Sequence, residues 1–206
     1  MKKGEKRKQE LLKIAYKMFL TKGYENTSVD EIIEEAGIAK GTYYYYFESK
    51  EQMLEEVIEM MIGQEAEVAR QVLNSGMDVV QKILGIMAAF RPTQEETTIE
   101  NALHQQENAL MHNKVKKRLM AAAIPLLAEA AEEGNRQGIF CCDHVPERVK
   151  LLLIVGNELF DEENFTESDV AVFIDMAEKL LGAKAGSMDY IKGLIGQTRC
   201  KNGEKE

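Results

Sequence analysis

Apolar residues recur three and four positions apart along most of this chain, and nowhere alternate with polar ones over the length of a strand. Leu11, Ile14, Ala15, Met18 and Phe19 make one stripe on a helix predicted from about Lys6 to Lys22, with Lys13 and Lys17 off it. Gly23 suits the residue after that helix, because it takes φ > 0 without a Cβ clash. Ser28, with Glu31 three residues on, fits a capping box at the start of a second helix. Val29, Ile32, Ile33 and Ala36 then repeat the one-face spacing. Gly37 ends this helix, Ile38 and Ala39 make the turn, and a third helix starts near Lys40. Two helices separated by about four residues that include Gly form a helix-turn-helix pattern.

The third helix reads GTYYYYF. At ~100° per residue, Tyr43 and Phe47 share a face and can pack on the first two helices. Thr42, Tyr45 and Tyr46 point outward, with Tyr44 at the boundary. Several hydroxylated rings on so short a helix exceed what packing needs. The bland alternative is partly buried rings with wet tips. A fourth helix starts at Ser49, with Ser49 and Gln52 as a second capping-box candidate. Lys50 in its first turn opposes the helix dipole unless a phosphate binds there.

That helix continues through Met53, Leu54, Val57, Ile58, Met61 and Ile62 towards Val72, until Ser75-Gly76 breaks it. Further helices are predicted at about Met77 to Phe90, Glu95 to His112, Lys114 to Gln137 with a kink at Pro125, Pro146 to Glu163, and Glu167 to Ala183. Residues 187–196 add a short helix, and the polar tail 198–206 reads as disordered. The pattern gives an all-α fold in three pieces: a helix-turn-helix domain at 1–50, a larger helical domain at 51–197, and the tail.

Composition sharpens this division. Of the 206 residues, 45% are hydrophobic and 30% charged, with no Trp and three Pro. The net charge of −9 is unevenly spread. Residues 1–50 hold 10 basic and 8 acidic side chains, and residues 1–22 hold 8 and 2. The remainder holds 16 basic and 27 acidic. A basic head on an acidic body suggests that only the head meets a polyanion. No apolar run reaches the ~18–20 residues that span a bilayer, and the polar N-terminus has no apolar segment of a secretory signal. Three cysteines, two of them adjacent, make a poor disulfide framework, which points to a reducing cytoplasm.

From residue 6 to 52 the chain resembles the TetR family of bacterial transcriptional regulators. The resemblance rests on LLKIAYKMFLTKGYENTSVDEIIEEAGIAKG followed by TYYYYFESKEQML. Its pieces are Gly23-Tyr24, Thr27-Ser28-Val29, Ala36-Gly37, the Lys40-Gly41-Thr42 start of the third helix, the aromatic pair with Phe47, and Lys50. It implies that Thr42, Tyr44 and Tyr46 face bases or adjacent phosphates in the major groove, with Lys40 and Gly41 at that helix's edge. It implies phosphate contacts from Thr27, Ser28, Tyr45 and Lys50. Position 46 is often His in the family and is Tyr here. The helix has no outward Arg to pair with guanine, so direct readout is modest and DNA shape contributes.

The resemblance also implies a homodimer built through the last two long helices. Candidate interface residues are Val149, Leu152, Leu153, Gly156, Leu159 and Phe160, then Val170, Phe173, Ile174, Ala177, Leu180 and Leu181. A purely intramolecular core is the alternative. It further implies a small-molecule effector pocket, with Met87, Phe90, Leu103, Met111, Met120, Leu127 and Phe160 as candidate lining, although Met and Leu at helical spacing also serve simply as core.

No enzymatic constellation and no cofactor motif is present. Cys141, Cys142 and His144, with His104 or His112, could ligate a soft metal, but adjacent cysteines chelate one ion poorly, so no metal is expected. The reading is a ligand-responsive homodimeric DNA-binding regulator, a repressor, at a pseudo-palindromic operator. The alternative is a helical ligand-carrier or protein-interaction module that has lost DNA binding.

Overall fold

The computed structural model describes residues 3–91, 109–160 and 165–192. Among these residues every regular element is a helix, as the apolar periodicity predicts. In chain order they are α1 (Lys3–Lys22), α2 (Val29–Glu35), α3 (Lys40–Tyr46), α4 (Lys50–Leu73), α5 (Val79–Ala89), α6 (Ala109–Arg136), α7 (Val145–Phe160) and α8 (Glu167–Leu181). The chain forms two compact units, one of Met1–Glu67 with Phe90–Leu119, the other of Val68–Ala89 with Met120–Glu206.

The first unit closes around α1. Leu11, Ala15 and Phe19 are fully buried, and Leu12 joins them while Ile14 and Met18 stay half-exposed. Ile32, Tyr43 and Phe47 pack into the same core, with Met53, Leu54, Val57, Ile58 and Ile62 of α4. Each such side chain contributes ~1.5–3 kcal/mol of burial. Ion pairs ring the core: Lys8 to Glu56 at 2.5 Å, Lys114 to Glu55 at 2.9 Å and Arg118 to Glu59 at 3.2 Å. All are partly solvated, so they orient the helices more than they stabilise them.

In the second unit α6 runs through Pro125, where one helical N–H is missing. Lys82 of α5 is 7% exposed and meets Glu133 of α6 at 2.7 Å. Glu133 also accepts a hydrogen bond from Gln137, so the buried charge has partners on both sides. Near the end of α6 the ring of Phe140, itself 3% exposed, lies over Gly134 where a Cβ would stand. The amides of Ile139 and Phe140 donate to the Gly134 carbonyl. A capping box of Thr166 and Asp169 starts α8, a feature beyond those expected from the sequence.

Several boundaries move. Asp78 and Gln81 cap each other, so α5 starts at Val79 rather than Met77. The helix expected from Lys114 already includes Ala109, and α7 starts at Val145 rather than Pro146, with residues 161–164 outside the described ones. Most of the helix expected over 95–112 and the tail at 198–206 lie outside the described residues. Of the short helix expected over 187–196, residues 187–190 form turns, 191 and 192 are helical, and the rest lies outside the described residues.

Gly134→Ala forces a methyl into the Phe140 ring and should lower stability by roughly 1–3 kcal/mol. Gly63→Ala, on α4 with open space at its Cβ, should raise it by up to about 1 kcal/mol. Urea titrations of both variants check this; equal midpoints would contradict the Phe140 packing.

Candidate nucleic-acid interface

Local chemistry sets the helix-turn-helix. The Ser28 hydroxyl accepts from the Glu31 amide at 3.2 Å, and Glu31 accepts from the Ser28 amide at 2.8 Å, the reciprocal box that the spacing predicts. These bonds, with Lys22 at 2.9 Å, hold the Glu31 carboxyl down at about 2. At the other end of α2, Arg7 donates to the Ala36 carbonyl at 3.2 Å, placing a cation at the negative end of the helix. Gly37 turns the chain with φ +59°, and Ala39 begins α3 without a side-chain cap.

The tyrosines sort by angle. Tyr43 and Phe47 are fully buried, with ring centroids 5.6 Å apart. The Tyr43 hydroxyl donates to the Ser49 carbonyl at 3.3 Å, and burial pushes its pKa up to about 12. Tyr45 lies about 200° from Tyr43 around the helix and is 80% exposed. Tyr44, about 100° away, is 49% exposed. Tyr46 lies only about 60° from the buried face. It is half-buried, and it lines an open groove with Gly4, Lys6, Arg7 and Glu10 of α1. The expectation that Tyr46 points outward is therefore corrected, and Tyr44 takes the more open place. Tyr45 and Tyr46 meet edge to face, centroids 4.9 Å apart. Thr42 is half-exposed and Gly41 exposed.

The cations have intramolecular partners. Lys40 meets Asp30 of α2 at 3.0 Å, and this carboxylate raises the Lys40 pKa. Lys50 lies with its Nζ 4.1 Å from the Tyr24 ring centroid and 3.5 Å from the Glu25 carbonyl. Ser49 accepts from the Gln52 amide, but Gln52 reaches the amide of Glu48 rather than that of Ser49, so the second box is shifted by one residue. Thr27 departs from its expected role. It is 1% exposed, and its hydroxyl donates to the Gly23 carbonyl at 2.8 Å, so it faces the core and not a phosphate. Ser28 is exposed, with its hydroxyl engaged by Glu31.

This geometry coincides with a family match. Residues 11–57 match the model of bacterial regulatory proteins of the tetR family. This N-terminal segment thus carries the helix-turn-helix of TetR-type regulators. It is 33% identical over 101 residues to the HTH-type transcriptional repressor KstR2 of Mycolicibacterium smegmatis, covering 49% of each chain. It is 50% identical over 50 residues to the regulator YuxN of Bacillus subtilis, covering 24% of this chain and 17% of that one. The chain thus spans about half the length of the KstR2 relative of M. smegmatis that it matches. In fold it is similar to RolR solved with the ligand resorcinol, with a TM-score of 0.63 and 20% identity over 90% of this chain and 92% of that one.

The remaining TetR-type expectations land as follows. Val149, Ile174, Ala177 and Leu181 are buried within the single chain, and Leu152, Leu153, Leu159, Val170 and Leu180 are half-buried. Phe173 packs on Gly156 and meets Phe160 edge to face at 5.1 Å. Leu127 is buried core, and Met87, Phe90, Met120 and Phe160 are half-buried. The side chains of Leu103 and Met111 and the position of His104 lie outside the described residues. Cys141 and Cys142 are free thiols in a loop tied down by Asn135, which bonds both the amide and the carbonyl of Cys142. His144 takes φ 49°. Among the described residues no three His, Cys, Asp or Glu side chains could hold a metal ion, and no helix is long and apolar enough to cross a membrane.

Glu31 has a depressed folded pKa, so its stabilisation is complete above its ordinary value of 4.5 and is lost as pH falls through about 2. Glu31→Gln should therefore lose stability at neutral pH and show a shallower acid limb between those values. Ser28→Ala should cost about 1 kcal/mol at neutral pH. Thermal melts from pH 7 to 2 read both; parallel curves for wild type and Glu31→Gln would refute the box as the source.

Proposed function

We propose that this chain is a ligand-responsive, homodimeric transcriptional repressor that binds a pseudo-palindromic DNA site through α3. The observation that carries this reading is the sorting of α3: Tyr43 and Phe47 anchor it while Tyr44 and Tyr45 stand clear, with half-exposed Thr42 on the same helix as Lys40 and near Lys50. The 1–50 segment is the DNA reader and 51–197 the sensing and dimerising part. Exposed Tyr44 and Tyr45 offer ring carbons to thymine methyls and hydroxyls to base edges or phosphates, while Lys40, Gly41 and Lys50 fix the register. Ser28 and Tyr46 flank this contact. Repression is supported by the named activity of the KstR2 relatives.

Two copies would set their α3 helices about 34–36 Å apart to enter successive major grooves. The pairing surface is the outward side of α7 and α8. Leu151, Ile154 and Val155 on α7 and Val172 on α8 are 50%, 43%, 37% and 67% exposed. They complement the stripe containing Val149 and Ile174, whose apolar surface is used inside the chain. The effector is a small molecule held in the 51–197 part, near Met87, Met120 and Phe160. It acts by binding one conformation better than the other and so shifting the population that can grip DNA.

Enrichment from a random duplex pool defines the site, and gel shifts then test the roles. Tyr44→Ala and Lys50→Ala should each weaken binding about tenfold or more. Asp30→Asn frees Lys40 from its partner and should tighten binding about two- to fivefold. A wild type that enriches no sequence would favour the interaction-module reading. Leu151→Glu with Val172→Glu should turn a dimer into a monomer on sedimentation, with loss of cooperative DNA binding. A variant that sediments like wild type would place the pairing surface elsewhere.

A further inference from the structure

We infer that Tyr24 is a positioning residue for DNA binding: its ring holds the Lys50 ammonium at the phosphate contact. The inference rests on the proposed reading of Lys50 as a phosphate ligand. Lys50 is the first residue of α4, where the helix dipole repels a cation. A free lysine there would swing away into solvent. Instead its Nζ lies 4.1 Å from the centroid of the Tyr24 ring and 3.5 Å from the Glu25 carbonyl. The negative face of the ring and the carbonyl oxygen offset the dipole. They also confine a long flexible side chain before DNA arrives, so less freedom is lost on binding.

The ring is itself fixed. Tyr24 is 5% exposed and meets Phe19 edge to face, with centroids 5.3 Å apart and planes at 75°. The backbone on both sides is locked. Gly23 takes φ +83°, its carbonyl accepts the buried Thr27 hydroxyl at 2.8 Å, and the Thr27 amide donates to the Tyr24 carbonyl at 3.2 Å. Thr27 therefore serves the interface at one remove. It sets the 23–27 turn, the turn sets the Tyr24 ring, and the ring sets Lys50. Nothing in these linked interactions needs the phenolic hydroxyl, so phenylalanine should substitute for Tyr24 and an aliphatic residue should not.

The test uses the full chain and its enriched duplex, with affinity measured from 50 to 300 mM salt. Tyr24→Leu should weaken binding about three- to tenfold. It should also flatten the dependence of log affinity on log salt, by up to about 0.9 for each phosphate that is no longer neutralised. Tyr24→Phe should restore both. In a Lys50→Ala background Tyr24→Leu should add nothing, because the group it positions is gone. A thermal melt of each variant, with binding measured well below its midpoint, separates positioning from unfolding. Equal losses from Tyr24→Leu with and without Lys50 would overturn the inference, as would an unchanged salt slope. Lys50→Ala binding as well as wild type would overturn it too. Failure of wild type to bind any duplex would instead sink the underlying reading of α3.

Discussion

Burial of Tyr43 and Phe47 is the constraint from which the rest of the first unit follows. A seven-residue helix cannot hold itself in water, since nucleation costs more than so few bonds return. α3 exists because two large rings on one face enter a core already walled by Leu11, Phe19, Ile32 and Leu54. Once those rings are in, helical geometry leaves no choice about the others. Tyr45 must point away, Tyr44 must stand to one side, and Tyr46 must lean back towards α1. The surface proposed to read a groove is thus a by-product of how the core is filled. Any change that rotates Tyr43 or Phe47 moves every outward ring with it.

Charge on the head is managed rather than merely accumulated. Lys22 is engaged by Glu31, Lys40 by Asp30, and Lys8 by Glu56, while Lys50 lies on an aromatic face. Each acidic partner restrains a cation that would otherwise be free for phosphate. The Lys22 and Lys40 pairs are the more exposed, so they are weak and exchangeable. DNA, with its dense row of phosphates, can displace a single carboxylate, whereas scattered anions cannot. The acidic remainder of the chain adds long-range repulsion that disfavours unspecific contact elsewhere on the surface.

Much of this is legible in the residues. The Ser28 and Glu31 box, the Gly37 turn, the start of α3 near Lys40 and the inward pair of Tyr43 and Phe47 all follow from spacing alone, because each is a local consequence of backbone geometry. What escapes is relational. Thr27 looks like a surface hydroxyl in the sequence, and only the folded turn shows it bonded to Gly23 beneath Tyr24. Tyr46 is one of four equal residues in the sequence, and its contact with α1, far upstream in the chain, has no local signature. Gly134 reads as a weak point in a helix, and its reason is the Phe140 ring, which doubles back over it. The Thr166 and Asp169 box is present in the sequence, but its shorter acid at the third position is a fainter signal than the Glu of the Ser28 box.

The outer helices show where periodicity stops being informative. A stripe of apolar residues says that one face of a helix avoids water; it does not say whose surface covers that face. In α7 and α8 the strongest stripe, through Val149, Ile174, Ala177 and Leu181, is satisfied within the chain. The residues between, Leu151, Ile154, Val155 and Val172, do not stand out in the pattern, yet they remain open on the folded chain. Scattered exposed apolar side chains are ordinary on any protein, but three at i, i+3 and i+4 make a second stripe on one helix. A helix with two apolar stripes has two partners to find, and an intramolecular core supplies one of them. That asymmetry, rather than the depth of the first stripe, is what favours a second copy of the chain as the missing cover.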